Sequence, residues 1–227
     1  EVTIRKDLNE LKRRNLLMRV RGGAIKHPQT ESNNDIEVDK KRLFHYKEKK
    51  AIGRLAASLI NENETILIDS GSTTLEIAKN LDAFQNLTII TNALNIAIEL
   101  TKYKRFNVIL LGGYIREASL STVGSIAESI LKIFYCDKLF LGVDSISIDK
   151  GLSTTNIEEA NINQTMMSIS KQTIAVFDSS KFDKRKFAFI APMDKIDIIV
   201  TDDFITREQR NQIKALNIQL HTAHVNR

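Results

Sequence analysis

From residue 47 onward, short apolar runs alternate with longer segments of helical periodicity, and no other feature restricts the fold so strongly. Thr65–Asp69, Leu87–Thr91, Asn107–Leu111, Lys138–Gly142, Thr173–Asp178, Asp197–Thr201 and Ile218–His221 each read as a strand. Helices are expected between them, over Lys47–Asn61, Thr73–Leu81, Ala93–Lys102, Val123–Ile133, Ile157–Ser170 and Arg207–Leu216. Strands separated by helix-length crossovers pair in parallel, and both faces of a parallel sheet must be covered. The expected class is therefore α/β, a mostly parallel sheet flanked by helices.

The charge of the chain is concentrated ahead of this region. Residues 1–27 carry eight basic side chains (Arg5, Lys6, Lys12, Arg13, Arg14, Arg19, Arg21 and Lys26) against Glu1, Asp7 and Glu10. The remaining 200 residues hold 25 charges of each sign, so the formal +5 of the chain belongs to its first 27 residues. That distribution points to a polyanion-binding element attached to a neutral body. Residues 3–14 show Ile4, Leu8 and Leu11 at helical spacing. Leu16–Val20 then reads as a strand, Arg21-Gly22-Gly23 as a tight turn and Ala24-Ile25 as the return strand. A helix followed by a basic hairpin is the second half of a winged helix-turn-helix. Three segments are expected: a partial winged helix-turn-helix over 1–27, a polar linker over 28–46 and a sensor domain over 47–227.

Ligands of open parallel sheets bind beyond the carboxyl ends of strands, and polar residues collect there. Asp69-Ser70-Gly71-Ser72-Thr73-Thr74 joins a strand to a helix, with a glycine for close approach and the hydroxyls of Ser72, Thr73 and Thr74. Such a turn suits phosphate, and the same residues also serve as an ordinary helix cap. Thr91-Asn92, Gly112-Gly113 with Arg116, Gly142-Val143-Asp144 and Asp178-Ser179-Ser180-Lys181 follow other strands, and Gly151–Asn156 precedes Glu158-Glu159. Arg116 and Lys181 supply cations among hydroxyl and amide groups, a set that fits one polyhydroxylated anionic ligand. The effector-binding candidates are Lys49, Asp69, Ser70, Gly71, Ser72, Thr73, Thr74, Thr91, Asn92, Gly113, Arg116, Asp144, Thr154, Asn156, Glu159 and Lys181.

Other chemistries lack their residues. His27, His45, His221 and His224 are scattered, so no metal site is expected, and without a dinucleotide or Walker motif no cofactor is expected. The single cysteine, Cys136, lies among Phe134, Tyr135 and Leu139 and reads as a core thiol. No window is long and apolar enough for a membrane span and the first residues do not read as a signal peptide, so the expected compartment is the cytoplasm.

Several of these motifs occur in the order found in a known family. Thr3–Leu11 with Arg19-Val20-Arg21-Gly22-Gly23-Ala24 resembles the recognition helix and wing of DeoR-family bacterial repressors. Asp69–Thr74, Thr91-Asn92-Ala93, Leu111-Gly112-Gly113 and Asp178–Phe182 resemble that family's sensor domain, so the likeness covers nearly the whole chain. Gly142–Asp144 with Gly151–Ala160 looks most like repressors of amino-sugar operons. The resemblance implies a homo-oligomeric repressor of a carbohydrate operon, released from operator DNA by a phosphorylated sugar, an amino-sugar phosphate being one candidate. For DNA contact it implies Thr3, Arg5, Lys6, Arg13, Arg19 and Arg21. The family's DNA-binding domain has two helices before the recognition helix, and this sequence opens within the third.

The family's sensor is similar in fold to ribose-5-phosphate isomerase, which supplies the rival, enzymatic reading. Lys49–Gly53, Ser70–Thr73, Asp144, Lys150, Glu159 and Lys181 resemble stretches of that enzyme, with Glu159 at the position of its general base. Leu141 stands where the enzyme has a second aspartate, and Leu152-Ser153-Thr154-Thr155 replaces its glycine-rich loop. Those departures remove catalytic groups and leave the binding groups, so a non-enzymatic sensor is expected.

Overall fold

All seven expected strands pair into one sheet, and every pairing in it is parallel. The computed structural model describes residues 2–13, 17–20, 23–26 and 36–226. These form two units, divided between Ile36 and Glu37. The first holds α1 (Val2–Arg13) and an antiparallel hairpin of β1 (Leu17–Val20) and β2 (Gly23–Lys26). Thr3, Arg5, Lys6 and Arg13 lie on α1 and Arg19 on β1, while Arg21 lies outside the described residues. On α1, Ile4 is 65% exposed.

The second unit opens with α2 (Val38–Leu43) and α3 (Tyr46–Ala57). Here the structure corrects the expected linker over 28–46: residues 37–46 belong to the sensor unit, and 28–35 lie outside the described residues. Its charged run hid a helix anchored by Val38 and Phe44, both buried. There follow β3 (Thr65–Ile68), α4 (Thr74–Ala78), β4 (Thr88–Thr91), α5 (Leu94–Leu100) and β5 (Asn107–Leu110). A hairpin of β6 (Tyr114–Arg116) and β7 (Ser121–Val123) leads to α6 (Ser125–Leu131) and the long strand β8 (Cys136–Gly142). Next come β9 (Ser145–Ser147), β10 (Gly151–Thr154), α7 (Ile157–Ser168), β11 (Ser170–Val176) and β12 (Ala188–Ala191). The unit closes with β13 (Ile198–Asp202), α8 (Arg207–Ala215) and β14 (Gln219–Ala223).

The sheet order is β14-β13-β11-β8-β3-β4-β5. The chain starts in the middle at β3, runs outward to β5, then returns to β8 and runs the other way. This doubly wound order reverses direction between β3 and β8, where crossovers leave on opposite faces and a crevice opens. Side-chain alternation explains the three layers. Ile66, Ile68, Phe140, Ile174, Val176 and Val200 pack on one face with residues of α3, α4 and α5. Leu67, Leu139, Leu141, Ala175 and Ile199 pack on the other with residues of α6, α7 and α8. A smaller antiparallel sheet, β12-β10-β9, continues the second layer, and Cys136 is buried there.

Two aromatic residues of one stretch test this layering. Phe140 is fully buried in the centre of β8, whereas Tyr135, just before that strand, is 91% exposed. Phe140→Ala is predicted to cost about 3–5 kcal/mol of unfolding free energy and Tyr135→Ala less than about 0.5 kcal/mol, measured by urea denaturation. Equal losses for the two would contradict the arrangement.

Candidate functional site

Four strand ends meet at the reversal between β3 and β8, and the cavity there is lined mainly by polar side chains. The ladder between the two strands ends with the Asp69 N–H donating to the Phe140 carbonyl at 3.1 Å. Beyond it the strands separate, and the Asp69 side chain bridges them by accepting from the Gly142 N–H at 3.2 Å. A Cβ on Gly142 would lie 2.9 Å from the Ser70 carbonyl oxygen, so the glycine permits this close approach.

The loop after β3 forms one wall. Gly71 has φ +152°, which turns the chain sharply toward α4. Its carbonyl accepts from the Leu75 N–H at 3.2 Å and from the Thr74 hydroxyl at 3.1 Å. Ser70, Ser72 and Thr73 are left on the cavity wall. The β6–β7 hairpin forms a second wall. It is sewn to the end of β4 by the Thr122 N–H on the Asn92 carbonyl (2.8 Å) and the Leu94 N–H on the Leu120 carbonyl (2.9 Å). This attachment carries Arg116 to the cavity.

An unbroken chain of polar contacts crosses the site. Lys41 Nζ donates to Asp144 Oδ1 at 2.7 Å, and the Thr154 hydroxyl lies 3.2 Å from Asp144 Oδ2 and 3.0 Å from Glu159 Oε2. Glu159 Oε1 accepts from Arg116 Nη1 at 3.0 Å, and the same nitrogen reaches Ser119 Oγ at 3.0 Å. Lys49, buried in α3, donates from Nζ to the Lys41 carbonyl, and Lys181 stands on the short turn after β11. Asn92 uses its amide nitrogen on the Thr122 carbonyl, while its buried Oδ1 has no hydrogen-bond partner among the described residues. A buried acceptor without a donor is costly, and a ligand hydroxyl or amide is suited to supply one.

Burial and neighbouring charge set the protonation of these groups. Burial, reinforced by Glu159, holds the Asp69 carboxyl well above the usual carboxylate range, in spite of the N–H groups of Ser70 and Gly142. Burial also pushes the Lys49 ammonium down to about 8, with Lys181 and Lys41 adding to the effect and Asp178 opposing it. Lys41 shifts upward, because the Asp144 carboxylate outweighs the effect of burial. Asp144 is held below the carboxylate range by Lys41 and Lys181, again against burial. Four cations thus share the cavity with Asp69, Asp144 and Glu159, and Asp178 acts on Lys49 and Lys181 as well. Because Asp69 is pushed toward its neutral form, the remaining three carboxyls are fewer than the cations. The excess is positive, and a phosphate would neutralise it.

Of the expected effector residues, Lys49, Asp69, Ser70, Gly71, Ser72, Thr73, Asn92, Arg116, Asp144, Thr154, Glu159 and Lys181 line this cavity. The other four do not, and each has a structural task. Thr74 closes on the Gly71 carbonyl, and Thr91 Oγ1 accepts from the Ala93 N–H at 3.1 Å. Gly113, at φ +150°, makes room for the Val123 carbonyl, and Asn156 caps α7 by accepting from the Glu159 N–H at 3.0 Å. The sequence reading missed Lys41, Ser119 and Asn163. Asn163 was within reach of pattern, since it lies four residues after Glu159 on α7 and so shares its face. Lys41 was not, because Asp39-Lys40-Lys41-Arg42 reads like any solvated charged run. Among the described residues no group of three His, Cys, Asp or Glu is placed to hold a metal ion, and no helix is long and apolar enough to cross a membrane.

Known proteins share this sequence along its length. The model of the DeoR C terminal sensor domain matches residues 44–203, and that of the DeoR-like helix-turn-helix domain matches residues 1–30. A putative aga operon transcriptional repressor of Escherichia coli O157:H7 is 32% identical over 96% of this chain and 81% of its own length. The transcriptional repressor AccR of Agrobacterium fabrum is 37% identical over 88% of this chain and 77% of its own. Among solved structures, ribose 5-phosphate isomerase A from Neisseria gonorrhoeae is 17% identical with a TM-score of 0.41, covering 60% of this chain and 53% of that chain. The eIF2B beta structure from Chaetomium thermophilum is 14% identical with a TM-score of 0.48, covering 68% and 50%. The chain thus spans about half the length of each of those two structures.

Asp69 provides a test by pH. Its native pKa lies above that of the unfolded chain, near 4. Between the two values the unfolded chain releases this proton and the native protein keeps it, so this group's contribution to stability falls as pH rises. Asp69→Asn is predicted to flatten that decline above about pH 4 and to be at least as stable as the wild type at neutral pH, by urea denaturation. A variant with an unchanged pH slope would remove the shift assigned to Asp69.

Proposed function

The chain belongs to the DeoR family of helix-turn-helix transcriptional regulators, and from that premise we propose that it represses a carbohydrate operon and leaves its operator when a phosphorylated sugar fills the cavity between β3 and β8. The observation that carries the reading is the cation excess of that cavity, set against the Ser70–Thr73 turn. Lys49, Lys181 and the turn would hold the phosphate. Asn92, Asp144, Thr154 and Glu159 offer groups for hydroxyl or acetamido substituents, and the relative named for an aga operon favours an amino-sugar phosphate. Glu159 suits binding better than proton abstraction, since both its oxygens are engaged, by Arg116 and Thr154.

On the DNA side, Thr3, Arg5 and Lys6 near the start of α1 would meet base edges or flanking phosphates. Arg13 of α1, Arg19 of β1 and Arg21 would contact the DNA backbone or the minor groove. A homo-oligomer on repeated sites suits this reading, and the work of such a protein lies in the cytoplasm.

The test uses DNA selected by the protein from a random pool, with binding followed by fluorescence anisotropy. Glucosamine 6-phosphate, galactosamine 6-phosphate, ribose 5-phosphate and their unphosphorylated sugars are then added. One phosphorylated sugar is expected to weaken DNA binding by at least about fivefold, and its unphosphorylated form is expected to leave it unchanged. A protein that stays bound through the whole panel at saturating concentrations contradicts the proposal. In the same assay Arg5→Ala is predicted to cost about 1–3 kcal/mol of DNA affinity; an affinity equal to wild type would remove Arg5 from the interface.

A further inference from the structure

Helix α2 is six residues long, too short to hold a helical conformation through its own hydrogen bonds. Its outward pairs, Lys40 with Glu37 and Arg42 with Asp39, are exposed and contribute little. What fixes it is a set of attachments to the cavity. The Val38 N–H donates to the Ala118 carbonyl at 2.7 Å, Lys41 Nζ pairs with Asp144 at 2.7 Å, and Lys49 Nζ donates to the Lys41 carbonyl. Ala118, Asp144 and Lys49 all line the cavity, as do Val38 and Lys41 themselves. A ligand filling that space would therefore touch α2 directly. The ammonium of Lys41 has three donors, and among the described residues one of them goes to Asp144. Immediately before α2, at the boundary between Ile36 and Glu37, the chain passes to the unit that carries α1.

We propose that Lys41 is a ligand-binding residue and that through it α2 reports whether the cavity is occupied. A phosphorylated ligand accepts hydrogen bonds from Lys41 while Asp144 keeps its own. It thereby clamps α2 onto the sensor and fixes the backbone at Glu37, where the DNA-binding segment is attached. The docked position of α2 is then the one that binds ligand best, which is the differential affinity any coupling between two sites requires. This inference rests on reading the cavity as an anionic-effector site.

Amide hydrogen exchange of residues 37–44 tests it, in the protein alone and with inorganic phosphate or each sugar phosphate of the panel, binding itself being followed by thermal shift. In the wild type the bound phosphate compound is expected to slow exchange of this segment about tenfold, the effect of roughly one charge-assisted hydrogen bond. In Lys41→Met the slowing is expected to fall below about twofold, in Lys41→Arg to return at least in part, and in Lys40→Ala to match the wild type. Unaltered exchange in the peptides covering β3 and β8 shows that Lys41→Met is folded. The same variant should also lose most of the ligand's effect on DNA affinity, read as the ratio with and without ligand. If a panel member binds and residues 37–44 exchange as before, or slow equally in Lys41→Met, the inference is overturned and the effector site stands. If nothing on the panel binds, the effector reading falls and this inference with it.

Discussion

Asp69 spans the place where the sheet reverses direction, and the geometry of the sensor depends on that span. A parallel sheet must part its strands at such a reversal, leaving backbone N–H groups without ladder partners. The Asp69 carboxyl takes the one at Gly142, so the crevice is held open by a side chain and not filled by a third strand. Deep burial beside Glu159 makes the ionised form of Asp69 expensive. A proton there preserves the bridge, because the carbonyl oxygen of a neutral carboxyl still accepts a hydrogen bond, and it removes a negative charge from the cavity.

The rest of the site follows from that charge arrangement. Lys41, Asp144, Thr154, Glu159 and Arg116 satisfy one another along one side, where the carboxylates are already balanced by cations. Lys49 and Lys181 act on Asp178, whose carboxyl they help to hold below its usual range, and burial is the first cause of the depressed pKa of Lys49. Buried ion pairs contribute little net stability, because desolvation offsets their attraction. Their value here is in discrimination: a neutral sugar leaves the cation excess unmet, whereas a sugar phosphate meets it and still finds acceptors for its hydroxyl groups.

Much of this was legible in the sequence, and the parts that were not share a cause. The inner strands of the main sheet, β3, β4, β8, β11 and β13, bury apolar residues on both faces and stand out as runs, and periodicity located all seven to within a few residues. Strands β6, β7, β9, β10 and β12 are only three or four residues long, too short for a periodic pattern to show, and β12 finds its partner β10 about 35 residues away. The same distinction sorts the site. The Ser70–Thr73 turn carries its chemistry in adjacent residues and is visible as a motif. The pair Lys41–Asp144 joins positions 103 residues apart, and only the fold singles out that lysine among its charged neighbours. Thr74, Thr91, Gly113 and Asn156 show the converse, since residue types favoured at ligand loops are also those that cap helices and close turns.

The central claim is that a phosphate group settles among the cations of this cavity. Calorimetric titration with the releasing sugar phosphate near pH 8, repeated in two buffers of different ionisation enthalpy, addresses it most directly. The Lys49 ammonium, near half-titrated there in the free protein, would have its pKa raised by an adjacent dianion. Binding should then take up about half a proton per site, seen as a heat that differs between the buffers. Identical heats in the two buffers would mean that the ligand does not change the charge of Lys49, and would contradict the placement of the phosphate.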